Sequence, residues 1–147
     1  MSRKPRWALL AALLLVTAAA LAQAQTDAIT TAGDWAEIKR VIAAQREALV
    51  AGDGERAFSF ASPAIRRQYG SVDAFMQMVA SGYRALVDAR YVEFLDGAVI
   101  AGDVVQPLRL ILPDGAVKVA LYSMQRQADG SWRISACVIA PSTVRSA

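Results

Sequence analysis

The chain has no histidine and a single cysteine, Cys137. Without histidine there is no Ser-His-Asp or Cys-His arrangement to activate a nucleophile. One cysteine and no histidine also leave too few ligands for a structural zinc site. Cys137 sits in the apolar run Ile134-Ser135-Ala136-Cys137-Val138-Ile139. A free cysteine in such a strand packs as a small hydrophobe, because activation requires a neighbour that lowers its pKa. Acid–base chemistry would need a carboxylate among the strands, where the acids are Glu93, Asp96, Asp103, Asp114 and Asp129. All but Glu93 lie in or beside turns, where Asp serves the backbone. Glu93 alternates with Val92 and Phe94 and is expected to face solvent. No catalytic residue, metal site or cofactor is therefore expected.

Four residues remain as candidates for a ligand pocket: Gln106, Arg109, Tyr83 and Tyr122. In strict alternation Gln106 shares a face with Val104, Leu108, Leu110 and Leu112. An unsatisfied buried amide costs about 1–3 kcal/mol, so Gln106 needs a partner, either a ligand or backbone at an irregularity. Pro107 makes a bulge or an edge at that point. Arg109 falls on the opposite parity, as a snorkelling arginine or as an anion anchor at a pocket mouth. Tyr122 alternates with Leu121 and Ser123, and Tyr83 follows a helix. Both tyrosines offer packing surface with a polar tip. Trp132 follows a turn and is expected to plug the sheet edge.

The elements that position these residues are helical first and extended later. Asp34 is expected to cap a helix with Glu37 in the capping-box position. Trp35, Ile38, Val41, Ile42 and Leu49 form its stripe, interspersed with alanines and Gln45, and Gly52 ends it. Asp53 caps a short helix carrying Ala57, Phe58 and Phe60. Ser62-Pro63 starts another that runs to Tyr69 and stops at Gly70. Ser71 caps a further helix that ends near Gly82. From Arg90 the period becomes two, with strands expected at 91–95, 98–101, 104–112, 117–126 and 132–140. Pro113-Asp114-Gly115 and Ala128-Asp129-Gly130-Ser131 are the hairpin signals. Helices followed by antiparallel strands predict an α+β fold, with the helices packed on one face of a curved antiparallel sheet.

Ahead of this domain, Arg3, Lys4 and Arg6 precede an apolar run from Trp7 to Leu21. Ala20-Leu21-Ala22 and Ala22-Gln23-Ala24 follow as small-x-small sites. This layout predicts a signal peptide over 1–22, cleaved after Ala22 or Ala24, and export to the periplasm or medium. The run of about 15 residues is shorter than the roughly 20 that span a bilayer, so no membrane span is expected after cleavage. A linker is expected at 23–33, the domain at 34–141 and a flexible tail at 142–147. Cleavage removes the charge excess. The chain has 16 Lys+Arg against 13 Asp+Glu, and the three surplus cations are those of the leader. A formally neutral mature chain gives no electrostatic footprint for nucleic acid.

Several pieces of the pattern resemble one family. They are Phe60-Ala61-Ser62-Pro63, Val105-Gln106-Pro107, Ala120-Leu121-Tyr122-Ser123-Met124, and Trp132-Arg133-Ile134 with Cys137. Together, over roughly Trp35 to Pro141, they are similar to the DUF4864 family of small exported bacterial proteins, within the NTF2-like (cystatin-like) superfamily. The resemblance implies a cone of helices on a curved sheet. That superfamily includes isomerases, hydrolase-like enzymes and pure binding modules, so fold alone does not decide activity. The expectation is a non-catalytic module that binds a small molecule or a protein partner. The alternatives are an NTF2-like enzyme with a tyrosine–carboxylate site and a structural module that forms a homodimer.

Overall fold

Thr31 and Asp34 begin the first helix. In the computed structural model, which describes residues 30–141, the Thr31 hydroxyl accepts a bond from the Asp34 N–H at 3.2 Å. The Asp34 carboxylate in turn accepts from the Thr31 N–H at 2.7 Å. This reciprocal box makes Thr31 the cap of α1 (Ala32–Val50) and Asp34 its third residue. The expected cap at Asp34 is thus displaced by three residues. Glu37 is not available for a box of its own, because it pairs with Arg40 at 2.5 Å. The expected signal peptide, residues 23–29 of the expected linker and the expected tail lie outside the described residues, while α1 takes in the last two positions of that linker, Ala32 and Gly33.

The other helix signals act where the sequence places them. Asp53 caps α2 (Gly54–Ser59), Ser62 caps α3 (Pro63–Tyr69) and Ser71 caps α4 (Val72–Gly82). Gly52 and Gly70 take positive φ, +70° and +74°, where the chain leaves α1 and α3. A fifth helix, α5 (Arg84–Asp88), was not anticipated. It is barely more than a turn long and no side chain caps it, so neither periodicity nor a start signal marks it.

Five strands form one antiparallel sheet: β1 (Tyr91–Phe94), β2 (Ala98–Ile100), β3 (Asp103–Ile111), β4 (Val117–Arg126) and β5 (Trp132–Pro141). β3, β4 and β5 are consecutive hairpins. β1 and β2 lie end to end along the other side of β3, with β1 against its second half and β2 against its first. The two long hairpins close in the same way. Asp114 accepts from the Ala116 N–H and Asp129 from the Ser131 N–H, both at 2.9 Å, and Gly115 and Gly130 follow with positive φ.

The helices cover one face of this sheet. Val104, Gln106, Leu108 and Leu110 of β3, Ala120, Tyr122 and Met124 of β4, and Trp132 and Ile134 of β5 are buried against Ile38, Ile42, Leu49, Phe58 and Phe75. β5 carries a bulge at Ser135. Ser123 pairs with Ala136 while Met124 pairs with Ile134, and the Ser135 hydroxyl donates to the Ser123 carbonyl at 3.1 Å. The segment from Phe60 to Ser62 adds a short parallel bridge to β5. Ile134 N–H donates to Phe60 and Ser62 N–H donates to Ile134, at 2.9 and 2.8 Å. Two further contacts fix α1 to the sheet. The Trp132 indole N–H donates to Asp34 at 3.2 Å, and Arg126 pairs with the same carboxylate while stacking on the Trp132 ring. Gly97, between β1 and β2, lies flat against the Trp35 ring, where a Cβ would approach within 2.3 Å.

Candidate functional site

Where α3 and α4 meet the β4–β5 hairpin, they leave a cavity of about 200 Å³. Tyr83, Tyr122 and Cys137 lie in its wall, with Gln45 from α1, Met78 from α4 and Ser135 from the bulge. No lining residue carries a charge. Two of the four pocket candidates, Tyr83 and Tyr122, are thus brought to one site. Gln106 and Arg109 are elsewhere.

Tyr122 projects from the middle of β4 and is wholly buried. Its hydroxyl lies against the Cys137 thiol and has no stronger partner. Burial pushes its pKa well above the usual tyrosine value, the adjacent Cys137 thiol adds to the rise, and the Arg46 guanidinium opposes it. Arg46 is anchored from α1 by bonds from Nε to the Leu86 carbonyl at 2.9 Å and from Nη2 to the Ala89 carbonyl at 2.7 Å. Tyr122 stays a neutral phenol at neutral pH.

Cys137 stands directly across from Tyr122 in the β4–β5 register. Burial pushes its thiol up to about 12, and the nearby Tyr122 hydroxyl only partly offsets this. A thiol in that range is protonated at neutral pH and a poor nucleophile. Tyr83 follows α4 and spans the wall, donating from its hydroxyl to the Cys137 carbonyl at 2.9 Å. Its pKa is also raised, chiefly by burial.

Gln45 also lies in the wall, a residue that the sequence marks only as an interruption of the α1 stripe. It is buried and donates from Nε2 to the Ala57 carbonyl at 3.2 Å. The signal was the same as for Gln106, a polar residue in an otherwise apolar stripe. Gln106 points into the core beneath the gap between β1 and β2, where Nε2 donates to the Leu95 carbonyl at 2.7 Å and to the Pro107 carbonyl at 2.9 Å. Of the two partners the sequence left open, the one present is backbone. Arg109 lies on the uncovered face of the sheet, paired with Glu93 directly across β1 and β3.

The lining offers neutral donors and apolar surface, with no carboxylate among the residues beside Tyr69, Tyr83 and Tyr122. Among the described residues no three His, Cys, Asp or Glu side chains gather as a metal cluster, and no helix is long and apolar enough to cross a membrane.

The sequence profile of one family, described as "Domain of unknown function (DUF4864)", matches residues 31–147. No curated protein and no solved structure matches the chain. The matched segment begins at Thr31, the residue that caps α1, and takes in every described element. The chain belongs to the DUF4864 family.

Proposed function

We propose that this protein is an exported, non-catalytic module that holds a small molecule in the cavity between α4 and β5. The observation that carries the reading is the cavity itself, about 200 Å³ with a lining of apolar and neutral polar side chains and no charged one. The absence of any carboxylate from the lining weighs against a tyrosine–carboxylate enzyme. The leader, with its cationic head, apolar run and Ala-rich cleavage sites, supports export to the periplasm. The order of helices followed by antiparallel hairpins supports placement among NTF2-like folds.

Native mass spectrometry of protein recovered from the periplasm tests both parts of the reading. The expected result is a polypeptide that starts at Gln23 or Gln25, carrying an added mass that denaturation removes. A full-length polypeptide in the membrane fraction would refute export. Protein that is free of ligand and stays so on exposure to extracts of its own cells would refute binding.

A second reading is a homodimer formed through the uncovered face of the sheet. It is favoured by Leu121 and Val138, which stand opposite one another there and are 39% and 59% exposed. Sedimentation equilibrium would show a dimer that Leu121→Lys dissociates. A wild-type monomer at high concentration would remove this reading.

A further inference from the structure

Between α1 and β1 runs a groove of about 230 Å³, walled by Ala43, Arg46, Glu47 and Val50 on one side and by Val92 and Phe94 on the other. It is too small for the drug-sized ligands that fill pockets of roughly 300–1,000 Å³, and it suits one or two aliphatic side chains. The groove follows a free sheet edge. β1 pairs with β3 alone. The Leu95 N–H donates to the Pro107 carbonyl at 3.1 Å, so by the alternation of an antiparallel ladder Glu93 and Tyr91 also turn their backbone groups to β3. Val92 and Phe94 turn theirs the other way, to an edge with no strand among the described residues. Arg46 adds a charge. Its Nε and Nη2 donate to the Leu86 and Ala89 carbonyls, which leaves Nη1 without a bond. No carboxylate pairs with it among the described residues, and Glu47 is turned to Arg56 at 3.6 Å. α1 meets Gly97 at Trp35 and reaches Leu86 and Ala89 at Arg46. It therefore runs antiparallel to β1, with Arg46 at the Val92 end of the groove.

We propose that this groove docks the C-terminal segment of a partner polypeptide, which adds to β1 as an antiparallel strand. The incoming backbone exchanges hydrogen bonds with Val92 and Phe94, and alternate side chains, which must be apolar, enter the groove. Running antiparallel to β1, the segment brings its C-terminus to the Val92 end. There its carboxylate meets the unpaired Arg46 guanidinium in a charge-assisted hydrogen bond. The groove shares no residue with the cavity between α4 and β5, so the two sites are independent.

Three probes test this: acetyl-Thr-Val-Thr-Val with a free C-terminal carboxylate, the same peptide as its C-terminal amide, and isovalerate. Each is titrated into isotopically labelled protein, and backbone amide resonances report the site. The free acid should bind about tenfold more tightly than the amide, the scale of one charge-assisted hydrogen bond. It should shift the Val92 and Phe94 amides and slow their exchange with solvent, and isovalerate should do neither. Val50 is 52% exposed at the end of α1, one turn from Arg46. Val50→Glu therefore supplies a competing carboxylate and should bring the two peptides to equal affinity. Val50→Gln, equal in size and uncharged, should keep the tenfold preference. Equal affinity of the two peptides for wild type, or no binding by either, would overturn the proposal. So would shifts at Met78 and Cys137 in place of Val92 and Phe94, which would put the peptide in the other cavity. Isovalerate binding as tightly as the peptide would replace the strand with a small acid. Val92 and Phe94 amides protected in peptide-free protein and released on dilution would make the occupant a second copy of this chain, against the proposal.

Discussion

The side-chain amide of Gln106 takes the hydrogen-bonding place that Pro107 leaves vacant. Leu95 lies opposite Pro107, and its N–H donates to the Pro107 carbonyl at 3.1 Å. In an antiparallel ladder such a pair exchanges two bonds, but proline has no N–H to return. Gln106 Nε2 supplies the missing donor to the Leu95 carbonyl at 2.7 Å. The bond lies at the break between β1 and β2, so one glutamine holds together an edge that the proline would otherwise open. Gln106→Leu should lower stability by about 1–3 kcal/mol. Pro107→Val restores a backbone donor, so it should recover part of that loss in the double variant. Urea unfolding of the four proteins in the cycle measures this coupling, and strict additivity would refute the substitution of one donor for the other.

The turn from β2 to β3 holds a correctable strain. Ala101 has φ +52° and Gly102 φ +89°, a pair of left-handed residues that suits Asn-Gly better than Ala-Gly. Ala101→Asn should raise stability by about 0.5–1 kcal/mol, since the left-handed region is disfavoured for alanine. A melting temperature equal to or below wild type would show that the turn relaxes in solution.

Acid should weaken the bracket between α1 and the β4–β5 hairpin. The Thr31 N–H, foremost, with the Thr31 hydroxyl, Trp132 and Arg126, holds the Asp34 carboxyl down at about 2. A carboxyl depressed on folding stabilises the native state above its unfolded pKa, near 4, and loses that contribution as pH falls through the folded value. The stability difference between wild type and Asp34→Asn should therefore be full above about pH 4 and close towards pH 2. Asp129 and Glu37 are also depressed, by Ser131 and Arg40, and they remain in both proteins as a common background. Chemical denaturation at several pH values reads the gap directly, and a gap independent of pH would contradict the assignment.

Cys137 should resist thiol reagents in the folded protein. Its thiol, raised to about 12, presents almost no thiolate at neutral pH. Labelling with a disulfide reagent should be slow in native conditions and immediate in denaturant. Fast native labelling would show that the wall around Tyr122 and Tyr83 opens readily.

Local chemistry accounts for what was legible beforehand. Asp53, Ser62 and Ser71 cap helices, and Gly52 and Gly70 end them, through contacts within a few residues. The paired Asp-Gly turns behave the same way. Non-local contacts account for the rest. The Thr31–Asp34 box is the exception, a local signal three residues long that the expected cap at Asp34 passes over. The partner of Gln106 is backbone from another strand. Tyr83 and Tyr122 share a wall only because α4 lies across β4 and β5. Arg109 and Glu93, each a solvent-facing candidate alone, meet through the register of β1 on β3.

The bulge at Ser135 works as a frameshift in which side chains face inward. Strict alternation from Trp132 would send Ala136 and Val138 inward and Cys137 outward. With one residue looped out, Cys137 and Ile139 pack toward the core, and Val138 stands exposed. The thiol beside Tyr122 is thus placed by a miscount in the strand. Loss of Ser135 would close the bulge and leave every later residue facing as before, whereas loss of Val138 would turn the remainder of β5 inside out. Length variation in this strand is therefore tolerable at the bulge and forbidden just beyond it.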